Sequence, residues 1–210
     1  MEKRGSLTVI SGFAGVGKGT LVKKLLQDYD CYALSISATT RAPRPGEEHG
    51  REYFFVTKEE FEDKIKGEGF IEYAQYVGNY YGTPREYVEQ QLSCGKDVIL
   101  EIEIQGALQI KKKFPDSVLV YILPPSAKEL EARLRGRGTE TEEKIVARLS
   151  RAAKESEGLE EYDYIIVNDD IEAAKTRLHG VIQASHNAPV RNKEFIAKIR
   201  EEVSGFAKGE

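Results

Sequence analysis

The chain has 210 residues, 40% of them hydrophobic and 31% charged, with a formal net charge of −4. That size suits one α/β domain carrying inserted lobes, and the near balance of basic and acidic residues excludes a global basic field for non-specific nucleic-acid binding. Cys31 and Cys94 lie far apart and outside any CxxC or Cys/His cluster, which argues against a disulfide framework or zinc site and for packing roles in a reducing cytosol. No stretch approaches the ~18 apolar residues of a membrane span, and residues 1–6 (MEKRGS) lack an apolar signal core, so a soluble cytoplasmic protein without a membrane partner is expected.

Residues 7–11 (LTVIS) form a β-branched run short enough for a buried strand, and 18–29 (KGTLVKKLLQDY) carries Leu21, Val22, Leu25 and Leu26 at helical spacing. Between them Gly12, Phe13, Ala14, Gly15, Val16, Gly17, Lys18, Gly19 and Thr20 spell GFAGVGKGT, in which Gly12-x4-Gly17-Lys18 fits the P-loop pattern up to its lysine. Glycines there let consecutive backbone N–H groups close around phosphate at a helix N-terminus, within reach of Lys18. The motif's hydroxyl comes one position late, at Thr20 instead of Gly19, which leaves Thr20 to touch phosphate or metal, with Mg²⁺ held mostly through water and nucleotide oxygens. A tight turn that uses glycine for sterics alone is the alternative.

Residues 37–91 depart from the core pattern. They are rich in Tyr, Gly, Glu and Arg, with short strand-like pieces (EYFFVT and FIEYAQYV) around the helix KEEFEDKIK, and read as an inserted lobe. Arg41 and Arg44 sit three apart on a loop stiffened by Pro43 and Pro45, where two planar forks can hold one phosphate and the Tyr53 and Tyr81 hydroxyls can assist. Taken alone, the two arginines fit a solvated loop equally well. Ser37, Glu72 and Thr83 belong to the same lobe.

Three further apolar runs, 97–104 (DVILEIEI), 118–125 (VLVYILPP) and 164–169 (YIIVND), suit strands buried on both faces of a parallel sheet. Helical patterns at 107–114, 127–136, 142–159 and 171–184 separate them, which predicts a doubly wound α/β core with its crevice at the C-terminal strand ends. Strand alternation over 97–104 puts Glu101 and Glu103 on one face, although a structural ion pair is open to either. Arg133, Arg137 and Arg148 flank a polar GTETEE turn, whereas Arg135 and Arg151 fit exposed i,i+4 pairs with glutamates. Asn168 ends the last strand, where loop capping is one reading. His49, His179 and His186 join no catalytic constellation, and no Ser or Cys nucleophile has an obvious base. In the tail, Phe195, Ile196, Ile199 and Val203 recur at helical spacing, an amphipathic helix for the core or for a neighbouring subunit; monomer and homo-oligomer both stay open.

The segments GFAGVGKGT, SISATTRAPRPGEEHGREYFFV, FIEYAQYVGNYYGTP, ILEIEIQG, RLRGRGTET and IIVND together resemble the guanylate kinases, P-loop nucleoside monophosphate kinases, across roughly residues 5–186. The resemblance implies one domain with a core at about 5–36, 92–126 and 157–186, a GMP-binding lobe at about 37–91, a lid at about 127–156 and a tail at 187–210. It implies ATP and GMP (with dGMP) as substrates, Mg²⁺ as cofactor, and ADP and GDP as products in purine metabolism. The P-loop, Arg133, Arg137 and Asn168 would hold ATP. Arg41, Arg44, Tyr53 and Tyr81 would hold the GMP phosphate, and Ser37, Glu72 and Thr83 the guanine. Glu101 and Glu103 would share the guanine amino group and the hydrated Mg²⁺; the family favours aspartate at the first position, so their division of labour stays open. Lys18, Arg41, Arg137 and Arg148 would neutralise the transferring phosphoryl group as the lid closes. A non-catalytic scaffold relative and another small phosphotransferase, such as an adenylate kinase, are the alternatives; the intact P-loop opposes the first, and Glu72 with the tyrosine-rich lobe opposes the second.

Overall fold

The structure, a computed structural model, describes residues 4–76, 78–136 and 141–206. In chain order its elements are β1 (Leu7–Gly12), α1 (Lys18–Asp28), β2 (Tyr32–Leu34), β3 (Ala38–Thr39), β4 (Phe54–Phe55), α2 (Lys58–Lys66), β5 (Phe70–Tyr76), β6 (Asn79–Pro84), α3 (Arg85–Ser93), β7 (Asp97–Glu101), α4 (Ile104–Lys113), β8 (Val118–Leu123), α5 (Ala127–Gly136), α6 (Glu142–Ser156), β9 (Tyr164–Val167), α7 (Ile171–Ser185) and α8 (Lys193–Phe206).

Five strands make a parallel sheet in the order β2-β7-β1-β8-β9. Its central strands are apolar on both faces because helices cover both: Val9, Ile10, Ile99, Leu119 and Val120 are fully buried. Val9 lies opposite Leu100 on one side and Leu119 on the other, so β1 is the centre of the sheet and its C-terminal end opens beside that of β7. This is the expected doubly wound core. At the far edge the expectation of two buried faces fails, since Tyr164, Ile165 and Val167 of β9 are exposed: among the described residues, β9 has β8 on one side and no strand on the other.

The β7 strand also stops earlier than alternation over 97–104 requires. Its last paired residue is Glu101, opposite Ile10; the Ser11 hydroxyl then takes the Ile102 carbonyl at 2.7 Å, and α4 begins at Ile104. Glu103 is therefore the residue capping a helix, not a strand partner of Glu101, and the placement of both carboxylates on one strand face is corrected. Cys31 and Cys94 are corrected too. Both are exposed, Cys31 beside the turn into β2 and Cys94 at the C-terminus of α3, positions that face water instead of the core.

The lobe builds a second sheet, β4-β3-β6-β5, around its own apolar nucleus. Phe61 of α2 stacks on Phe70 and Tyr80 with ring centroids 4.2 and 5.1 Å apart, and a Thr57–Glu60 capping box starts that helix. At the opposite end of the core, Asp97 is buried where β7 begins. It accepts from the Ser6 N–H and hydroxyl at 2.7 and 3.0 Å and from Gln183 at 3.2 Å, and it faces His186 Nε2 at 2.9 Å, which ties the end of α7 to the sheet. The tail helix α8 has no fully buried residue, with Phe195 63% and Phe206 82% exposed and Ile196 half-buried, so it adds little to the core. No helix among the described residues is long and apolar enough to cross a membrane.

Candidate active site

Where β1 ends, sheet packing leaves no room for side chains. A Cβ on Gly12 would lie 2.8 Å from the Ile122 carbonyl oxygen, and one on Gly15, whose φ is +88°, would lie 2.7 Å from Leu134 Cδ2. Gly17, at φ +90°, caps α1, and the first helical bond runs from the Leu21 N–H to its carbonyl at 3.0 Å. The amides of Lys18, Gly19 and Thr20 precede that bond and are the donors a helix N-terminus offers to an anion. They open on a cleft of about 940 Å³ lined by Ser11 and every residue from Gly12 to Thr20.

The other wall is α6. Lys144, Arg148, Arg151 and Glu155 line it, at spacings of four, three and four residues that put them on one helical face. Arg148 thus reaches the cleft as expected. Lys144 and Arg151 were missed, although the same periodicity carries them. Arg151 does pair with Glu155 at i,i+4 (2.8 Å), and it also crosses the cleft to Glu103 at 2.6 Å. Arg135 keeps to the exposed pairs, with Glu131 at 2.9 Å and with Glu142. At the C-terminal end of β7 Glu101 is half-buried; burial raises its carboxyl above the ordinary carboxylate range, and the charge of Lys18 opposes that shift.

In the lobe, antiparallel pairing of β5 with β6 brings Glu72 beside Thr83, whose hydroxyl donates to Glu72 Oε1 at 2.8 Å. Burial pushes the Glu72 carboxyl up, against the opposing effects of the Thr83 bond and the Lys113 charge. Arg41 spans Glu47 with both terminal nitrogens, at 2.9 and 3.0 Å, and lies 5.4 Å over the Tyr53 ring; Tyr53 and Tyr81 meet edge to face at 6.1 Å. Arg44 is exposed, and its backbone N–H donates to Glu47 at 2.8 Å. Ser37 is half-buried just before β3. The lobe carboxylate also meets the core: a Cβ on Gly106, in the first turn of α4, would stand 3.6 Å from Glu72 Oε2.

Of the residues expected at ATP, Arg133 and Asn168 both donate to the Val16 carbonyl of the P-loop, at 3.2 and 2.8 Å. Arg137 lies outside the described residues. No group of three or more His, Cys, Asp or Glu among the described residues can cage a metal. Glu101 and Glu103 with the exposed Thr20 hydroxyl instead fit the habit of Mg²⁺, which uses one or two carboxylates, water and substrate phosphates.

A parallel sheet whose central strand runs into a glycine-lysine loop and a helix N-terminus, facing a cationic helix, is the architecture of a P-loop kinase. The family model described as "Guanylate kinase" matches residues 4–185. Over 186 residues the chain is 51% identical to the guanylate kinase of Lactococcus lactis subsp. lactis (strain IL1403), covering 89% of this chain and 91% of that one. Its fold is similar to the crystal structure of guanylate kinase from Anaplasma phagocytophilum, with a TM-score of 0.69, 34% identity and 90% of each chain covered. The chain belongs to the guanylate kinase family, kinases that phosphorylate GMP using ATP.

Proposed function

We propose that the cleft beside the P-loop holds the phosphates of ATP, that the lobe presents GMP or dGMP to it, and that the terminal phosphoryl group passes directly between them to give ADP and GDP. The observation that carries this division is the approach of Glu72 to the first turn of α4. It sets the base-reading carboxylate of the lobe beside the same β7–α4 junction whose Glu101 responds to Lys18.

The chemistry follows from the groups present. Guanine offers N1–H and N2–H₂ donors on one edge, which a carboxylate accepts together, whereas adenine presents a bare N1 lone pair there. Glu72, held by Thr83 in a partly dry site, would lose hydrogen bonds with AMP, a mismatch able to reject an analogue by about 10⁴. Ser37 serves the O6 and N7 side, where Thr83 could donate only by giving up its bond to Glu72. Arg41, Arg44, Tyr53 and Tyr81 hold the acceptor phosphate, which has a second pKa near about 6 and so needs no general base at neutral pH.

What the protein must overcome is repulsion between two polyanions. Lys18, the loop amides, Arg148 and, from the same helical face, Lys144 and Arg151 surround the transferring group with donors. Glu103, now paired with Arg151, is exchanged for nucleotide phosphate as the lid closes. Mg²⁺ bound with ATP would add charge neutralisation, held at Glu101 and Thr20 largely through water. Two exposed, unpaired cysteines suit a reducing compartment such as the cytoplasm.

The test is the initial rate of ADP formation from ATP and Mg²⁺ with GMP, dGMP, AMP, CMP and UMP offered in parallel. Turnover is expected with GMP and dGMP alone. Comparable turnover of AMP would overturn the assignment of Glu72.

A further inference from the structure

The strand that carries Glu72 does not pair one to one with its neighbour. Phe70 lies opposite Pro84 and Tyr73 opposite Gly82, so Ile71 and Glu72 of β5 together face Thr83 of β6. Two residues against one make a β-bulge, which bends the strand and re-aims a side chain. The two bulge residues go to different neighbours. Ile71 is fully buried in the main core, while the Glu72 carboxylate accepts from the Thr83 hydroxyl and reaches toward Gly106 of α4.

A bulge disrupts the ladder locally, and its peptide groups need partners from elsewhere. One comes from α4. Lys113, in the last turn of that helix, donates from Nζ at 2.9 Å to the Ile71 carbonyl, which belongs to the peptide joining Ile71 to Glu72. Gly106, Ile110 and Lys113 recur at spacings of four and three, so a single face of α4 lies along β5, with Ile110 fully buried between the two ends. Lys113 also lines a crevice of about 440 Å³ between lobe and core, together with Phe70, Tyr73 and Phe114. The residue is exposed, so what it contributes is its ammonium group, carried across the boundary on a flexible stem.

We infer that Lys113 is a positioning residue for guanine recognition: by holding the Ile71 carbonyl it fixes the bulge from which Glu72 faces the base. The inference rests on Glu72 being the reader of the base. The charge of Lys113 acts in the same direction as its hydrogen bond. Burial disfavours the ionised Glu72, and the groups that oppose burial are Thr83, from β6, and Lys113, from α4; Lys18 and Glu101, at the P-loop and the end of β7, act on each other.

The test compares wild type, Lys113→Met and Lys113→Arg, with Glu72→Gln as the control for base reading. The measurements are KM and kcat for GMP and for IMP, which lacks the 2-amino group, and the pH dependence of guanosine affinity. Lys113→Met keeps the stem and removes donor and charge. It is expected to raise the KM for GMP about three- to tenfold, the loss of one hydrogen bond, with a larger effect on KM than on kcat. The preference for GMP over IMP narrows, guanosine binding is lost at a higher pH than in wild type, and Lys113→Arg recovers both. Wild-type KM and pH dependence in Lys113→Met would overturn the inference. So would a raised KM with unchanged GMP-to-IMP preference and unchanged pH dependence, the mark of a lobe that is only loosened. If Glu72→Gln binds guanosine as tightly as wild type at neutral pH, the reading of Glu72 itself fails, and this inference falls with it.

Discussion

Thr83 donates its hydroxyl to Glu72 Oε1 at 2.8 Å across the β5–β6 pair, and that bond keeps a half-buried carboxylate aimed at one place. Burial raises the Glu72 pKa above its unfolded value, so the ionised form costs stability above the folded pKa, and the cost is relieved as the pH falls through it. Recognition of guanine needs that same ionised form. Glu72→Gln is therefore expected to lower kcat/KM for GMP by about 100-fold, the range for losing a charged hydrogen-bond acceptor, with a thermal midpoint equal to or above wild type. Guanosine, which has no phosphate to titrate, should lose affinity for wild type on acidification above the ordinary glutamate range of about 4.3. A pH-independent guanosine affinity in wild type would count against Glu72 as the reader of the base.

Much of the site was legible in the sequence because its chemistry is local. A glycine-lysine loop between an apolar strand and an amphipathic helix carries its own geometry, and Gly12 to Thr20 line the cleft as a unit. The misplacement of Glu103 had a non-local cause. Period-two apolarity continues past Glu101, but the pairing with β1 ends at Ile10 and the Ser11 hydroxyl donates to the next carbonyl, so the strand ends. The bonds that Arg133 and Asn168 make to the P-loop were unreadable for the same kind of reason: their common partner is a backbone atom more than a hundred residues away. For Arg151 the expected i,i+4 pair is present, and what stayed unread is its second partner. Its i,i+4 glutamate is real, and a side chain with five donors can satisfy that partner and Glu103 together.

Glu47 occupies the fork of Arg41 that the acceptor phosphate needs. Both terminal nitrogens are engaged, at 2.9 and 3.0 Å, so binding GMP must first exchange this carboxylate for phosphate. An ion pair of this kind, open to solvent, adds little net stability, and removing its charge frees the guanidinium. Glu47→Gln still accepts from the Arg44 N–H, so the loop keeps its turn. The KM for GMP should fall about two- to fivefold with kcat little changed. A rise in KM would show that Glu47 orients Arg41 and does not compete for it.

Asp97 holds the opposite end of the sheet and has no part in the cleft. It is 3% exposed and satisfied by Ser6, Gln183 and His186. Asp97→Ala strands two donors of Ser6 and the side chains that anchor α7, a loss of about 3–5 kcal/mol for a buried charged acceptor. Denaturant unfolding should show that loss, while the KM for GMP of the folded fraction stays at the wild-type value. A stability change below about 1 kcal/mol would mean that water replaces the carboxylate.

The end of the fold lies between Arg191 and α8. Arg191 reaches back to the first strand, donating to the Gly5 and Arg4 carbonyls at 2.8 and 3.1 Å and pairing with Asp116 at 3.1 Å; its side chain is 8% exposed. Two residues later α8 begins, and none of its residues is fully buried: Ile196 is half-buried, and Phe195, Ile199, Val203 and Phe206 are exposed. Burial of apolar surface is what makes a helix contribute to a core, at roughly 25 cal/mol per Å², and α8 supplies little. A chain ending at Asn192 should melt within about 2 °C of the full chain, less than the shift for 1 kcal/mol in a protein of this size, and should turn over GMP at the same rate. Arg191→Ala in the full chain should cost about 1–3 kcal/mol by leaving carbonyls and Asp116 unpaired. If the shortened chain melts far below the full one, α8 is covered in solution, and a loss that grows with dilution of the full chain would identify the cover as a second copy.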